Sequence, residues 1–104
     1  MKPEEIYAEK KQYIEGPLAD ILKIYPTFEG LDYAVDTHMG EEFVRIKTET
    51  DGPTFINVTA NSLAATLSEI ARIILNQRPT GLITSPSTKK AIAPLFRKEA
   101  TQNV

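Results

Sequence analysis

The stretch LDYAVDTHMGEEFVRIKTETDGPTFINVTA, residues 31–60, decides the fold class. Apolar and polar side chains alternate in it over three short segments, which is the pattern of half-buried β-strands. Gly40 and the pair Asp51-Gly52 separate these segments, and Asp-Gly favours the positive φ angles of tight hairpins. The stretch therefore predicts a three-stranded antiparallel meander.

The alternation also predicts a sheet with one apolar and one polar face. We expect a helix to cover the apolar face and water to meet the polar one. The polar face carries Asp32, Asp36, Arg45, Lys47, Asn57 and Thr59. Phe43 and Phe55 fall on that same face, where they predict a cross-strand pair or part of a contact surface. Glu41 and Glu42 are assigned to the first turn and are expected to be solvated.

A helical pattern precedes the meander. Residues 3–25 repeat apolar side chains at helical spacing, and Pro3 suits the first helical turn because its missing N–H costs nothing there. Gly16-Pro17 interrupts the pattern, since a proline inside a helix removes a backbone hydrogen bond. We expect either a kink at this point or two shorter helices, ending before Pro26.

Two further helices are predicted after the meander. The first follows Asn61 or Ser62, either of which is a good N-cap. Its apolar stripe predicts that it covers the sheet, and the stripe consists of Leu63, Leu67, Ile70, Ala71 and Ile74. The second is expected to start at Ser85 or Ser87 and to run towards Glu99. Between them, residues 82–84 are short enough to add only an edge strand.

The predicted fold class is therefore α+β. It has an N-terminal helix, a three-stranded antiparallel meander with a possible fourth edge strand, a covering helix and a short C-terminal helix. The 104 residues fit a single domain, 1–104, in which 100–104 are expected to be frayed.

Charge is distributed unevenly along the chain. The net charge is −2, but residues 1–52 have a balance of −6 and residues 53–104 a balance of +4. Such a division can give two surfaces of opposite potential, unless the two halves interleave in space and neutralise one another. A sequence pI of about 5.4 does not favour binding to a nucleic-acid polymer.

Catalytic, metal and membrane functions find little support in the sequence. The chain has no cysteine, and its single histidine, His38, stands beside a predicted turn. Asp32 and Asp36 share a face but lie about 13 Å apart along a strand, too far for a pair of catalytic carboxylates. No apolar run is long enough for a membrane span, and no secretory signal is visible. We expect a cytoplasmic, non-catalytic protein without metal or cofactor.

One stretch suggests a binding site, TSPSTKKAIAPLFRK at residues 84–98. Its hydroxyl groups precede a helix start, where free N–H groups and the helix dipole favour an anion. Two lysines in the first turn oppose that dipole, which predicts something negative nearby. The candidate ligand-binding residues are Arg78, Thr84, Ser85, Ser87, Thr88, Lys89, Lys90 and Arg97. A small anion such as a nucleotide and the acidic half of a neighbouring chain are both consistent with this pattern.

A second hypothesis for the contact surface comes from apolar residues of the two later helices that lie outside the faces directed at the core. Such residues predict a surface for protein contacts. These candidate interface residues are Ile73, Leu75, Leu95 and Phe96. Exposed apolar patches mark contact sites, and symmetric homodimers are the commonest oligomers. The first functional hypothesis is accordingly a small regulatory or binding protein that forms a homo-oligomer or binds another protein, of the kind found among bacterial and phage accessory proteins. The alternative is a binder of a small anionic ligand.

Overall fold

The computed structural model describes residues 2–49, 53–75 and 77–102, with the side chains of the last helix described through Phe96. The elements in chain order are α1 (Pro3–Tyr13), a π-helical segment (Ile14–Leu18), α2 (Ala19–Leu22), β1 (Phe28–Asp36), β2 (Glu41–Thr48), β3 (Thr54–Asn57), α3 (Leu63–Ile74) and α4 (Pro86–Gln102). The α+β prediction is confirmed. Helix α4 runs three residues beyond the expected end at Glu99, and the predicted turn at Asp51-Gly52 lies outside the described residues.

The three strands form one antiparallel sheet in the order β1-β2-β3. Tyr33 pairs with Val44 and Val44 pairs with Ile56, so these side chains share one face, the inner face of the sheet. Gly40 ends the first turn with a φ of +71°, a conformation that glycine adopts without strain. Strand β2 already begins at Glu41, so the assignment of Glu41 and Glu42 to this turn was wrong.

The predicted fourth edge strand is reduced to a single bridge beside β3. Leu82 pairs with Ile56 in antiparallel orientation. The Asn57 N–H donates to the Gly81 carbonyl over 2.9 Å, and the Ile83 N–H donates to the Phe55 carbonyl over 3.0 Å. This bridge anchors the connection between α3 and α4 to the sheet.

The close approach at Gly81 leads to a stability prediction. A Cβ at this position would stand 2.5 Å from the Asn57 carbonyl oxygen, whereas a Cβ at Gly16 would meet nothing within 4 Å. We expect Gly81→Ala to lower the free energy of unfolding by about 1–3 kcal/mol, as overpacking does. Gly16→Ala is the matched control and should raise it by about 0.4–1 kcal/mol by restricting the unfolded chain. Equal urea midpoints for the two variants would contradict the tight contact.

The inner face of the sheet builds the larger core with the N-terminal helices and α3. Its buried side chains are Ile14, Leu18, Leu22, Leu31, Tyr33, Val44, Ile46, Ile56, Val58 and Ile70. The Ser62 side chain caps α3 by accepting the Ala65 N–H over 3.1 Å, as predicted for this residue. Ile70 and Thr66 are the buried residues of α3, while Leu63 and Leu67 of the predicted stripe remain exposed.

The predicted break at Gly16-Pro17 takes the form of a π-helical segment, so the helical run continues from Pro3 to Leu22. A π-turn accommodates a residue that cannot donate a regular helical hydrogen bond. The segment also brings Glu15 to the free edge of β1, where Oε2 accepts the Tyr33 N–H over 2.9 Å. Lys11 Nζ donates to the Tyr33 carbonyl over 3.2 Å, so these two side chains protect the edge from pairing with another strand.

The outer face of the sheet is covered as well, contrary to the expectation that it meets water. Helix α4 lies on it and forms a second core with Ala34, Phe43, Phe55, Ile92 and Phe96. The Phe55 and Phe96 ring centroids are 5.7 Å apart, and the Arg45 guanidinium lies 4.9 Å from the Phe96 centroid. Ala34, Phe43 and Phe55 form an apolar patch on the outer face, and α4 buries this patch. The domain therefore has helices on both faces of its sheet.

Candidate functional site

Helix α4 does not close over the whole outer face, and the gap forms the sheet–α4 cleft. The cleft has a volume of about 450 Å³. Its walls are formed by Asp36, Glu41, Phe43, Asn57, Ile83, Ser87, Thr88, Ala91, Ile92 and Leu95. Aromatic and aliphatic side chains thus meet two carboxylates and two hydroxyl groups in one concave surface, which is the usual composition of a binding pocket.

The carboxylates of the cleft come from the ends of two adjacent strands. Asp36 ends β1 and is the cross-strand partner of Glu41, which begins β2. Asp36 Oδ1 accepts the N–H groups of His38 and Met39 over 3.1 and 3.3 Å, so the intervening turn fixes this side chain. The Glu41 side chain forms no hydrogen bond or ion pair with any residue of the described ranges. Like charges directly opposite each other destabilise a sheet, so a cation in the cleft would relieve this repulsion.

The predicted anion site is only partly assembled at the start of α4. Ser87 and Thr88 line the cleft, whereas Lys89, Lys90 and Arg78 are not among its lining residues. Ser85 precedes the helix with its Oγ 3.0 Å from Ser87 Oγ, and its carbonyl accepts the Lys89 N–H. Thr84 is exposed in the preceding loop, and the Arg97 side chain lies outside the described part of α4.

The charged side chains that line the cleft are Asp36 and Glu41, and the predicted cations Lys89, Lys90 and Arg78 lie outside it. Lys90 is exposed and Lys89 half-buried in the first turn of α4, directly after the two hydroxyl residues of the cleft wall. Arg78 is exposed in the connection between α3 and α4. Positive side chains lie beside an acidic cleft instead of lining it.

The predicted interface residues divide between two cores and the surface. Ile73 is half-buried against the inner core and Leu95 half-buried against the outer core, where it also lines the cleft. Phe96 is 8% exposed because it packs within the chain on Phe55. Leu75 is 56% exposed at the end of α3 and is the one of the four that is fully at the surface.

A charged network lies inside the inner core, where the sequence predicted only apolar packing. Glu42 is 3% exposed, and its Oε1 accepts hydrogen bonds from Lys10 Nζ over 2.7 Å and from the Tyr33 hydroxyl over 2.6 Å. Its Oε2 accepts the Ala60 N–H over 2.8 Å. Each oxygen of the carboxylate thus has a donor, which is what a buried charge requires. Glu42 alternates in phase with Val44 and Ile46. This alternation is the sequence signal from which its position on the inner face could have been found.

The network changes the acid–base behaviour of its members. Burial alone would raise the pKa of Glu42, but the hydrogen bonds from Lys10, Tyr33 and the Ala60 N–H outweigh it and hold this pKa below its usual value. Burial, together with the hydrogen bond to the Glu42 carboxylate, raises the pKa of the Tyr33 hydroxyl far above its usual value. Glu42 therefore stays ionised and Tyr33 stays protonated at neutral pH.

These opposite shifts predict a loss of stability at both ends of the pH range. The pKa of Glu42 is lower in the folded than in the unfolded state, so its ionisation stabilises the fold at pH values above the unfolded pKa of about 4.3. This stabilisation is lost as the pH falls through the folded pKa. The pKa of Tyr33 is higher in the folded than in the unfolded state, so its protonated hydroxyl stabilises the fold fully below the unfolded pKa of about 10. This stabilisation declines as the pH rises from there through the folded pKa. Urea unfolding across pH should show both slopes. Lys10→Met/Glu42→Gln should flatten the acid slope and Tyr33→Phe the alkaline one; slopes unchanged in these variants would contradict the assignment.

The other residues considered for catalysis or metal binding, Asp32 and His38, do not form a common site with one another. Asp32 accepts hydrogen bonds from Arg45 Nε over 2.9 Å and from Arg45 Nη2 over 2.6 Å, and His38 is exposed. Within residues 2–49, 53–75 and 77–102, no group of three or more His, Asp or Glu side chains is arranged to hold a metal ion. The same residues contain no helix with the length and hydrophobicity to cross a membrane.

Comparisons with models of protein families, with curated proteins and with solved structures find no match to this chain. The site is therefore interpreted from its own residues.

Proposed function

We propose that this chain is a non-catalytic binding protein that acts through protein–protein contacts at the sheet–α4 cleft, and that the partner is a second copy of itself. The opposed, half-buried carboxylates Asp36 and Glu41 carry this proposal. They favour a positively charged occupant, and they disfavour a nucleotide or other small anion in the same space.

A lysine side chain matches the composition of the cleft. Its aliphatic stem packs on apolar surface while its ammonium group remains at a polar edge. In the cleft, Phe43, Ile92 and Leu95 provide the apolar surface, and Asp36 and Glu41 provide the negative charge. A protein ligand of this chemistry needs a basic side chain on a protruding element.

The start of α4 is such an element in another copy of the chain. Lys90 is exposed there, and Lys89 precedes it directly after the cleft residue Thr88. A surface that carries an acidic cleft and a basic helix start side by side is complementary to itself under a two-fold rotation. The lysines of one copy would then meet the carboxylates of the other in both directions, and the lysines would also gain the negative partner that their position in the helix lacks.

With this contact, we propose that the chain acts as a small regulatory or accessory protein. We propose the cytoplasm as its location because the sequence has no cysteine and no visible secretory signal. Its interaction surface is continuous with the outer core through Ile92 and Leu95. Binding at the cleft would therefore also hold α4 against the sheet.

Sedimentation velocity over a concentration series tests the proposal. We expect the wild-type sedimentation coefficient to rise with concentration, and the rise to shrink at high salt because exposed charges are screened. Glu41→Gln should weaken self-association by about tenfold or more, as loss of a close interfacial charge pair does. Glu49→Gln, at an exposed glutamate outside the cleft, is the matched control. A monomer throughout the series, or equal association of both variants, would overturn the proposal.

A further inference from the structure

A second concave surface lies on the opposite side of the sheet, above the buried charged network. This Lys10 cavity has a volume of about 330 Å³ and is lined by residues of α1, by Glu42 of β2, by Gly40 before β2 and by Thr59 and Ala60 after β3. Among its lining residues are Ile6, Tyr7, Lys10, Glu42 and Ala60. The volume lies at the lower end of the range for small-molecule sites, about 300–1,000 Å³.

The Lys10 ammonium has unused hydrogen-bonding capacity at the wall of this cavity. Lys10 is 9% exposed, and its Nζ atom has one hydrogen-bond partner, Glu42, among the residues of the described ranges. An ammonium group carries three donors, and buried donors are almost always satisfied. The cavity is the space from which further acceptors can reach them.

Tyr7 adds a second polar group to the same wall. It is half-buried against the inner core, and its hydroxyl forms no hydrogen bond with the described part of the chain. Ile6, at 38% exposure, and the neighbouring Pro3 make the mouth of the cavity apolar. The cavity thus offers polar groups inside and apolar contact at its entrance.

The wall also contains strained backbone. Ala60 has a φ of +61°, in the left-handed region that costs a residue with a Cβ about 1–2 kcal/mol. Its N–H donates to Glu42 Oε2, so the strained residue helps to hold the carboxylate that in turn holds Lys10. Strain of this kind persists where the surrounding structure fixes it, and it is concentrated at ligand sites.

The charge of the cavity selects the class of ligand. Lys10 and Glu42 neutralise one another, and all the donors around Glu42 are directed to its carboxylate. A ligand carboxylate would approach a second carboxylate, and a ligand cation would approach the ammonium. A neutral carbonyl oxygen can accept from Lys10 without either repulsion.

We propose that the Lys10 cavity binds a small neutral ligand that places a carbonyl or amide oxygen on Lys10 and an apolar group against Ile6 and Tyr7. This site is separate from the sheet–α4 cleft and does not depend on self-association.

Three probes that share a cyclohexyl group and differ in charge test the proposal by NMR titration of the ¹⁵N-labelled protein. They are cyclohexanecarboxamide, cyclohexanecarboxylate and cyclohexylmethylamine. The amide is expected to give saturable shifts at the backbone signals of Ile6, Tyr7 and Ala60, and to bind at least about tenfold more tightly than the two charged probes. No saturable shifts at these positions, or binding of the carboxylate or the amine as strong as that of the amide, would overturn the proposal and leave a cavity that holds only water.

Two variants identify the contacts without unfolding the chain. Lys10→Met/Glu42→Gln removes both buried charges together, and the glutamine amide can accept the Ala60 N–H and donate to the Tyr33 hydroxyl oxygen. This double variant should weaken amide binding by about tenfold or more. Ile6→Asp changes the exposed mouth and should weaken it as well. Lys23→Met, at an exposed lysine that pairs with Asp20, should bind the amide as the wild type does. Unchanged binding in either of the first two variants would contradict the site.

Discussion

Replacing Glu42 with leucine is expected to lower the free energy of unfolding by about 3–5 kcal/mol, because the Lys10 ammonium is then buried without its counter-ion. The change also removes the acceptor of the Tyr33 hydroxyl and of the Ala60 N–H, which lie 2.6 and 2.8 Å from the carboxylate. Domains of this size are stabilised by only about 5–15 kcal/mol, so the loss is a large part of the total. Urea unfolding at neutral pH measures it.

Two matched variants show whether the loss comes from the unpaired charge. Glu49→Leu removes an exposed glutamate shortly after β2 and should change the stability by no more than about 0.5 kcal/mol. Lys10→Met/Glu42→Gln removes both charges and should recover most of the loss, since a buried ion pair is often replaced without net cost. If Glu42→Leu were as stable as Glu49→Leu, the buried network would not have the role described.

Phe96→Ala is expected to release α4 from the outer face of the sheet and to lower the free energy of unfolding by about 3–5 kcal/mol. Phe96 is the aromatic side chain of α4 in the outer core, and it contacts both Phe55 and the Arg45 guanidinium. Its loss leaves Ile92 and the half-buried Leu95 to hold the helix. Hydrogen exchange should therefore show faster exchange of the α4 amides, with a smaller change for β2.

Lys23→Ala provides the control for this measurement, because it truncates an exposed side chain that belongs neither to α4 nor to the outer core or the cleft. Its α4 amides should exchange at close to the wild-type rate. Protection of α4 that is equal in Phe96→Ala and Lys23→Ala would show that Phe96 does not anchor the helix.

The elements of the fold could be predicted because their signals are local. Alternation identified the three strands, and Ser62 and Pro3 marked two helix starts that the structure confirms. The form of the break at Pro17 could not be predicted, since a kink, a split and a π-helical segment all satisfy the missing N–H. The local sequence indicates where a regular helical hydrogen bond is missing, but it does not indicate which backbone conformation the chain adopts there.

The burial of both sheet faces depends on contacts between distant residues. Phe43 and Phe55 were recognised as unusual on a polar face, but the cover they receive comes from Ile92 and Phe96, which lie 37–53 residues further along the chain. The burial of Glu42 was missed because two adjacent glutamates beside a glycine resemble a solvated turn. Its partner Lys10 is 32 residues away, and only the packing of α1 on the sheet reveals the pair.

The start of α4 was predicted to bind an anion, and the structure places it beside a cleft that contains two carboxylates. Ser87 and Thr88 do line a cleft, whereas the carboxylates opposite them come from β1 and β2. The helix start gave no information about which strand ends it would face. The charge division between the two halves of the chain was the relevant signal, and in the cleft the acidic half lies next to the basic one.

Charge-reversed variants test most directly whether the cleft of one copy binds the α4 start of another. Asp36→Asn/Glu41→Lys makes the cleft positive, and Lys89→Glu/Lys90→Glu makes the helix start negative, where the helix dipole favours carboxylates. Under a two-fold rotation each variant repels itself twice, while a one-to-one mixture restores both attractive contacts. Sedimentation velocity of each variant and of the mixture is the measurement. The proposed contact predicts two monomeric variants and a dimeric mixture, whereas a mixture that sediments as the average of its components would contradict it.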